Sequence, residues 1–214
     1  KERQHLASSI HPLLETRGVP GTQDMPLAMA TMGALKNQKA HENTSIPRFN
    51  KANDDRHSPE LWSNIAGKVD VIIFEGWCVG LPPQDEKALL TSCNDLEKIE
   101  DGNGVWRSYV NSQLGEGYQA LFSLINDLLV LQAPSFDVVY EWRLLQEQKL
   151  INSLQAKGGL HEGNRTLDKK KIKRFISHYQ RLTQHALTCL PSQASWVLYQ
   201  NAQHQFIKMT RSTQ

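Results

Sequence analysis

The sequence predicts an α/β fold with a mainly parallel sheet flanked by helices. Val69 to Phe74 is a short, nearly continuous apolar and β-branched run, the pattern of a strand buried on both faces rather than one with a wet face. Leu128 to Gln132 reads as a second buried strand. Around them lie helical patterns at 86–99, 106–125, 138–155 and 168–189.

Taken in order, Lys1 to Leu14 reads as helix and ends in Thr16-Arg17-Gly18-Val19-Pro20-Gly21-Thr22, where two glycines and a proline rule out regular structure. Asp24 caps a predicted helix from Met25 to Leu35, with Pro26 in its first turn. The polar stretch Lys36 to Ser45 follows, and Ser58-Pro59-Glu60 marks another helix start. Glycines 102 and 104 separate two helical stretches, Gly158-Gly159 break the long one after Pro134, and Pro191 closes the last. Trp196 to Tyr199 and Gln205 to Met209, around Asn201, suggest a final strand or hairpin.

With 214 residues, the chain suits one sizeable core. We expect one domain over 1–214, with a helical, lid-like region at 138–190. Apolar residues at 39%, charged residues at 21% and a mean hydropathy of −0.49 describe an ordinary globular protein. The longest apolar run falls far short of the roughly 18 to 20 residues that span a bilayer, and the polar start Lys1-Glu2-Arg3-Gln4-His5 is unlike a secretory signal. The expectation is a cytoplasmic protein with no membrane partner. Cys78, Cys93 and Cys189 are odd in number and far apart, which indicates reduced thiols rather than disulfides or a zinc ribbon. The formal charge of +2 does not call for a polyanion. Lys169-Lys170-Lys171 with Lys173-Arg174 reads as a solvated helix face, so no nucleic-acid partner is expected. The eight histidines show no metal-ligand spacing.

Chemistry enters at Glu75. Ligands of open α/β sheets gather beyond the carboxyl ends of the strands, so a carboxylate just after a buried strand is placed to act on a metal that arrives with a nucleotide. Gly76 beside it permits close approach of phosphate. A core strand that simply ends in a surface glutamate fits the same pattern. Four segments then occur in order: LLETRGVPGTQD, IPRFNKANDDR, VDVIIFEGWCVG and VYEWRLLQEQKL. Together they resemble the D-glycerate kinase family of P-loop kinases, distant relatives of uridine kinase, phosphoribulokinase and pantothenate kinase. The resemblance runs from about Lys1 to Cys189.

The resemblance implies a three-layer P-loop kinase-like fold and transfer of the ATP γ-phosphoryl group, with Mg²⁺, to a hydroxyl of D-glycerate or a similar small acid. It assigns Glu75 to the end of the Walker-B strand, as the acid facing Mg²⁺. Arg17, Gly18, Gly21 and Asp24 fall in the family's T-R-G-x-x-G-T-x-D loop, which shapes the acceptor pocket. Arg48, Lys51 and Arg56 fall in its P-R-F-x-K segment and the charged stretch after it, a cradle for the substrate carboxylate or the transferring phosphoryl. Arg143 matches the lid region, where an arginine stabilises charge in transfer. By themselves, Arg17 and Arg48 also suit surface ion pairs, and Arg143 suits an i,i+4 pair with Glu147. The sequence departs from the family in three respects. It contains no G-x-x-x-x-G-K-[ST] loop and no Asp-rich strand end before the point matching Lys1, so the reading is of a kinase lacking its first strands, prone to associate with itself or with the missing piece. Gln23 stands where the family has His, and Asn50 where it has Asp, so two ionisable groups are replaced by amides. A non-catalytic relative acting as a binding or regulatory module is the competing expectation.

Overall fold

The computed structural model describes residues 2–50, 53–156 and 168–212. Lys51 and the Gly158-Gly159 break lie outside them. The chain divides into two compact units, Asp24–Gly76 and the combination of Lys1–Gln23 with Trp77–Gln214.

The smaller unit begins with α2 (Met25–Asn37), preceded in the other unit by α1 (Glu2–Ser9). Asp24 caps α2 as expected, its Oδ1 accepting from Leu27 N at 2.9 Å. Two antiparallel ladders follow, β1 (Asn43–Ile46) with β4 (Ser63–Ala66), and β2 (Phe49–Asn50) with β3 (Asp55–Arg56). Gln38, at the C-cap of α2, ties the helix to the end of β4 by donating to the carbonyls of Ile65 and Gly67. The Ser58-Pro59-Glu60 signal produces only a short 3₁₀ turn, Pro59–Leu61. The run Val69 to Phe74 departs from its expected strand. It has no ladder partner among the described residues, and Val71 and Ile73 are 76% and 88% exposed. Its composition is that of a buried strand, but a strand exists only where a neighbour takes its backbone hydrogen bonds.

In the larger unit the first helix stops at Ser9, because Pro12 cannot supply an interior helical N–H. Residues Pro12–Glu15 form a separate 3₁₀ turn capped by His11. The predicted 86–99 helix is two pieces, α3 (Glu86–Leu89) and α4 (Asp95–Glu100), since Asn94 caps α4 by accepting from Glu97 N at 3.0 Å. The predicted 106–125 helix likewise becomes α5 (Val105–Gln113) and α6 (Gln119–Phe122), joined by a wide turn in which Glu116 leaves helical geometry between two glycines. The long helices α7 (Phe136–Ala156) and α8 (Lys169–Gln193) pair with each other. Pro191 sits in the last turn of α8 rather than ending it.

The sheet of this unit has the order β5 (Leu129–Gln132), β6 (Trp196–Gln200), β7 (Phe206–Arg211). β5 and β6 are parallel and β6 and β7 form the expected hairpin. The other edge of β5 has no partner among the described residues. α8 packs against β5 and α4, and Ile172, Ile176, Leu182, Ala186 and Leu190 form its buried stripe.

Two buried arginines fasten these helices. Arg181 on α8 donates from Nε and Nη2 to both oxygens of Glu97 on α4, at 2.7 and 2.6 Å, and also to the carbonyls of Ala88 and Thr91. Glu97 is fully buried. Burial alone would push its carboxyl up, but the bonds from Arg181 and from Cys93 N hold it below the usual value. Arg107 donates from Nη1 to Asp101 Oδ2 at 3.0 Å and from Nε to Leu89 O at 2.6 Å, while Asp101 Oδ1 accepts from Trp106 N at the start of α5. No helix among the described residues is long and apolar enough to cross a membrane.

Removing one member of a buried, multiply bonded pair leaves the other uncompensated. Arg181→Met should therefore lower the free energy of unfolding by about 3–5 kcal/mol in urea titration; a loss under about 1 kcal/mol contradicts the assigned role. His178 sets a pH dependence. Its ring is buried, its Nδ1 lies 3.0 Å from Arg174 O, and Nε2 has no partner among the described residues. Burial holds its pKa below the ordinary 6.5. The unfolded chain thus takes up the proton first, so the stability His178 contributes is complete above pH 6.5 and is lost as pH falls toward the lower folded value. The urea midpoint should fall between about pH 7.5 and about pH 5.5, less steeply in His178→Leu; equal slopes in the two proteins rule out His178 as the cause.

Candidate functional site

In the larger unit, the glycine loop 16–22 folds against the aromatic side chains of α8. Gly18 has φ +120 and Gly21 has φ +90, backbone that side-chain-bearing residues seldom adopt. Both are also packed too closely for a Cβ, which would lie 2.8 Å from Tyr179 Oη at Gly18 and 2.7 Å from Tyr109 Cε1 at Gly21. Several of the loop's polar groups are engaged by side chains. Tyr179 Oη donates to Arg17 O at 2.7 Å, and Gly18 N donates to Thr22 Oγ1 at 2.9 Å. Gly18 O accepts from Gln23 Nε2 and from Trp77 Nε1. Gly21 N donates to Tyr118 Oη at 3.0 Å, and Tyr118 in turn donates to Gln23 Oε1.

An aromatic cluster backs the loop. Trp77 meets Tyr179 edge to face with centroids 5.0 Å apart, and Phe175 lies 5.1 Å from Tyr179. Arg143 on α7 reaches the same place, its guanidinium 5.8 Å from the Phe175 centroid. The i,i+4 pair with Glu147 is present at 2.9 Å, and Glu147 is buried while Arg143 stays partly open. Burial pushes the Tyr179 hydroxyl up to about 12, while the Arg17 and Arg143 cations both pull it down. Tyr179 is thus bonded to the loop at Arg17 O and lies beside Phe175, over which Arg143 sits.

The remaining expected residues lie in the smaller unit. Asp24 Oδ2 and Arg56 Nη1 form an ion pair at 2.5 Å. The Leu27 hydrogen bond and Arg56 hold the Asp24 carboxyl below its usual value. Arg56 thus serves Asp24 and the start of α2. Arg48 is exposed, with no side-chain bond to another described residue; its carbonyl accepts from His57 N at 2.8 Å. Glu75 and Gly76 are exposed. Glu75 follows an unpaired segment, not the end of a sheet strand, and its carboxylate makes no bond to another described residue. Mg²⁺ keeps most of its waters and needs only one or two protein carboxylates besides nucleotide phosphates, so a single open carboxylate fits it. No group of three metal-ligating side chains occurs among the described residues.

Sequence reasoning missed Tyr179, Phe175, Trp77 and Tyr118 as parts of this site. Trp77 directly follows the Glu75-Gly76 pair, and Phe175 and Tyr179 stand four apart on one helix face. Only that spacing could have pointed to them.

No protein-family model matches the sequence. The uncharacterized kinase mug58 of Schizosaccharomyces pombe is 31% identical over 176 residues, covering 79% of this chain and 58% of that protein. The chloroplastic D-glycerate 3-kinase of Arabidopsis thaliana is 29% identical over 172 residues, covering 78% of this chain and 33% of that protein. A solved D-glycerate 3-kinase from Cryptococcus neoformans var. grubii matches with a TM-score of 0.74 at 20% identity, over 98% of this chain and 74% of that one. This chain thus spans under two thirds of the length of the curated relatives it matches. Its fold is the α/β fold of the P-loop kinase-like proteins. In sequence it is a relative of the D-glycerate kinase family.

Gly18→Ala places a methyl group against Tyr179 in a backbone conformation alanine resists. It should cost about 1–3 kcal/mol in urea unfolding. Tyr179→Phe in the same background should recover part of this loss by removing the clashing hydroxyl; no recovery would show that the close approach at Gly18 is not what costs stability.

Proposed function

We propose that this chain forms the acceptor and lid parts of an ATP-dependent kinase that transfers the γ-phosphoryl group to a hydroxyl of D-glycerate or a similar small hydroxy acid. The observation that carries this reading is the convergence of the glycine loop and α7 on one aromatic cluster, with Tyr179 Oη donating to Arg17 O at 2.7 Å and the Arg143 guanidinium 5.8 Å from the Phe175 centroid. The relationship to proteins named as D-glycerate 3-kinases supports it.

In this reading the acceptor's carboxylate pairs with Arg17, while the rigid backbone from Gly18 to Gly21 fixes where its hydroxyl points. Orientation of that kind lowers the barrier by removing motional freedom before reaction. Arg143, anchored by buried Glu147, contributes positive charge to the equatorial oxygens of the phosphoryl group as it moves. Arg48, Lys51 and Arg56 are proposed as a cradle for the substrate carboxylate or the transferring phosphoryl, and Gly76 as a position that permits close approach of phosphate. Glu75 is the residue that would hold Mg²⁺, which supplies charge neutralisation of the phosphates when bound. Gln23 donates to Gly18 O and accepts from Tyr118. It therefore shapes the loop and does not act as a base. Residues 1–214 contain no G-x-x-x-x-G-K-[ST] sequence, so the donor's phosphates are held by a segment from outside them. The open edge of β5 is where such a segment would add as a strand.

The test is ADP release from Mg²⁺-ATP with D-glycerate and a panel of small hydroxy acids and nucleosides, using this chain and one extended upstream through a phosphate-binding loop. We expect turnover in the extended chain with hydroxy acids. There, Arg143→Ala should lower kcat by about 100-fold or more, and Glu75→Gln should lower it strongly without unfolding the protein. Silence from both folded chains contradicts the kinase reading; turnover insensitive to Arg143→Ala contradicts the role of that residue.

A further inference from the structure

We propose that Tyr118 is a positioning residue for the acceptor, its hydroxyl fixing the loop from Gly18 to Gln23 in the form that takes the small acid; this rests on the kinase reading above. Tyr118 lies 95 residues from Gln23 along the chain, and its oxygen is used twice. It accepts from Gly21 N at 3.0 Å and donates to Gln23 Oε1. Gln23 Nε2 then donates to Gly18 O at 2.9 Å. One phenol thus holds Gly21 directly and Gly18 through the Gln23 amide.

The helix break before Tyr118 aims it. Tyr109 and Gln113 of α5 stand four apart and share a face. Both abut Gly21, where a Cβ would lie 2.7 Å from Tyr109 Cε1 and 3.0 Å from Gln113 Cγ. A continued α-helix would bring residues 116 and 117 to that face next. Instead Leu114–Tyr118 is a wide turn, with Glu116 at φ −98 and ψ −106. Such a turn holds one residue more than an α-helical one, so the position five after Gln113, which is Tyr118, joins the face. Gln119 pins the break, its Nε2 donating to Leu114 O at 3.0 Å and to Leu81 O at 2.8 Å. Wide turns of this kind are rare and gather at functional sites.

The ring itself is anchored. Tyr118 is buried and meets Phe122 edge to face with centroids 6.2 Å apart. Burial raises its hydroxyl well above the ordinary 10, so the group keeps its proton and remains a donor to Gln23 through the neutral range. A stretch with glycine at two positions has much backbone freedom to lose when a ligand orders it. Fixing it beforehand takes that cost out of binding. With its proton given to Gln23 and its oxygen taken by Gly21 N, Tyr118 acts on the acceptor through the loop.

Tyr118→Phe keeps the ring and removes only these two bonds. On this chain, amide hydrogen exchange at Gly21 should speed up about tenfold or more, with exchange at Ile172 and Ile176 of α8 unchanged. D-glycerate should bind the variant about tenfold more weakly in calorimetric titration. In the extended chain the KM for the acid should rise while the KM for ATP stays within about twofold. Unchanged exchange at Gly21, or faster exchange with the acid bound as tightly as before, would overturn the proposal. An equal rise in exchange along α8 would also overturn it, by showing a general loosening of the fold. The two readings fail separately. Acid bound equally by both proteins, with ADP released by the extended chain, sinks the role of Tyr118 alone. Acid bound weakly only by the variant, with no ADP released by the extended chain, sinks the kinase reading alone. An unaltered chain that binds no acid contradicts both.

Discussion

The buried pair of Glu97 and Arg181 is the constraint on which the larger unit rests. Neither group can be left alone at that depth, so every oxygen and nearly every N–H of the pair is matched, by side chain or by backbone carbonyl. Because Arg181 also binds the carbonyls of Ala88 and Thr91, it holds irregular chain as well as helix. The segment from α3 to α4 has little hydrogen bonding of its own, and α8 supplies what it lacks. Two residues before Arg181 on the same helix stands Tyr179. The anchoring of α8 and the placing of the candidate site's central side chain are therefore one event.

The candidate site is built by the same economy of polar groups. Loop 16–22 cannot form a ladder or a helix, so its N–H and carbonyl groups are taken up by Tyr118, Tyr179, Trp77, Thr22 and Gln23. Glycine at 18 and 21 is required both by the sign of φ and by the nearness of tyrosine rings. Beside this loop Arg17 is exposed, while Arg143 is partly open and paired with buried Glu147.

Helices whose boundaries are set locally were legible in the sequence. Asp24 and Asp168 announce helix starts, and each is seen accepting a backbone N–H. The β6–β7 hairpin was readable from apolar runs on either side of Asn201. Val69 to Phe74 was read as a strand and is not one, because composition reports how well a segment suits a sheet and pairing depends on a neighbour elsewhere. The interruptions at Leu90 and Glu116 were hidden for a related reason: helical periodicity continues through a break when the side chains on both sides still face the same core. The glycine loop and the Trp142-Arg143 pair stood out in sequence. Their approach to the Phe175–Tyr179 cluster did not, since Tyr179 reaches Arg17 O across 162 residues and Arg143 reaches Phe175 through the packing of α7 on α8.

The central claim is that Arg17, Trp77, Arg143 and Tyr179 together hold a small acid. NMR titration of the folded chain with D-glycerate, following the backbone amides of residues 16–23, the Trp77 indole and the Arg143 guanidinium, tests it most directly. The account predicts saturable shifts confined to these groups and abolished in Arg17→Ala. Saturable shifts that leave them untouched, or that survive unchanged in Arg17→Ala, would contradict it.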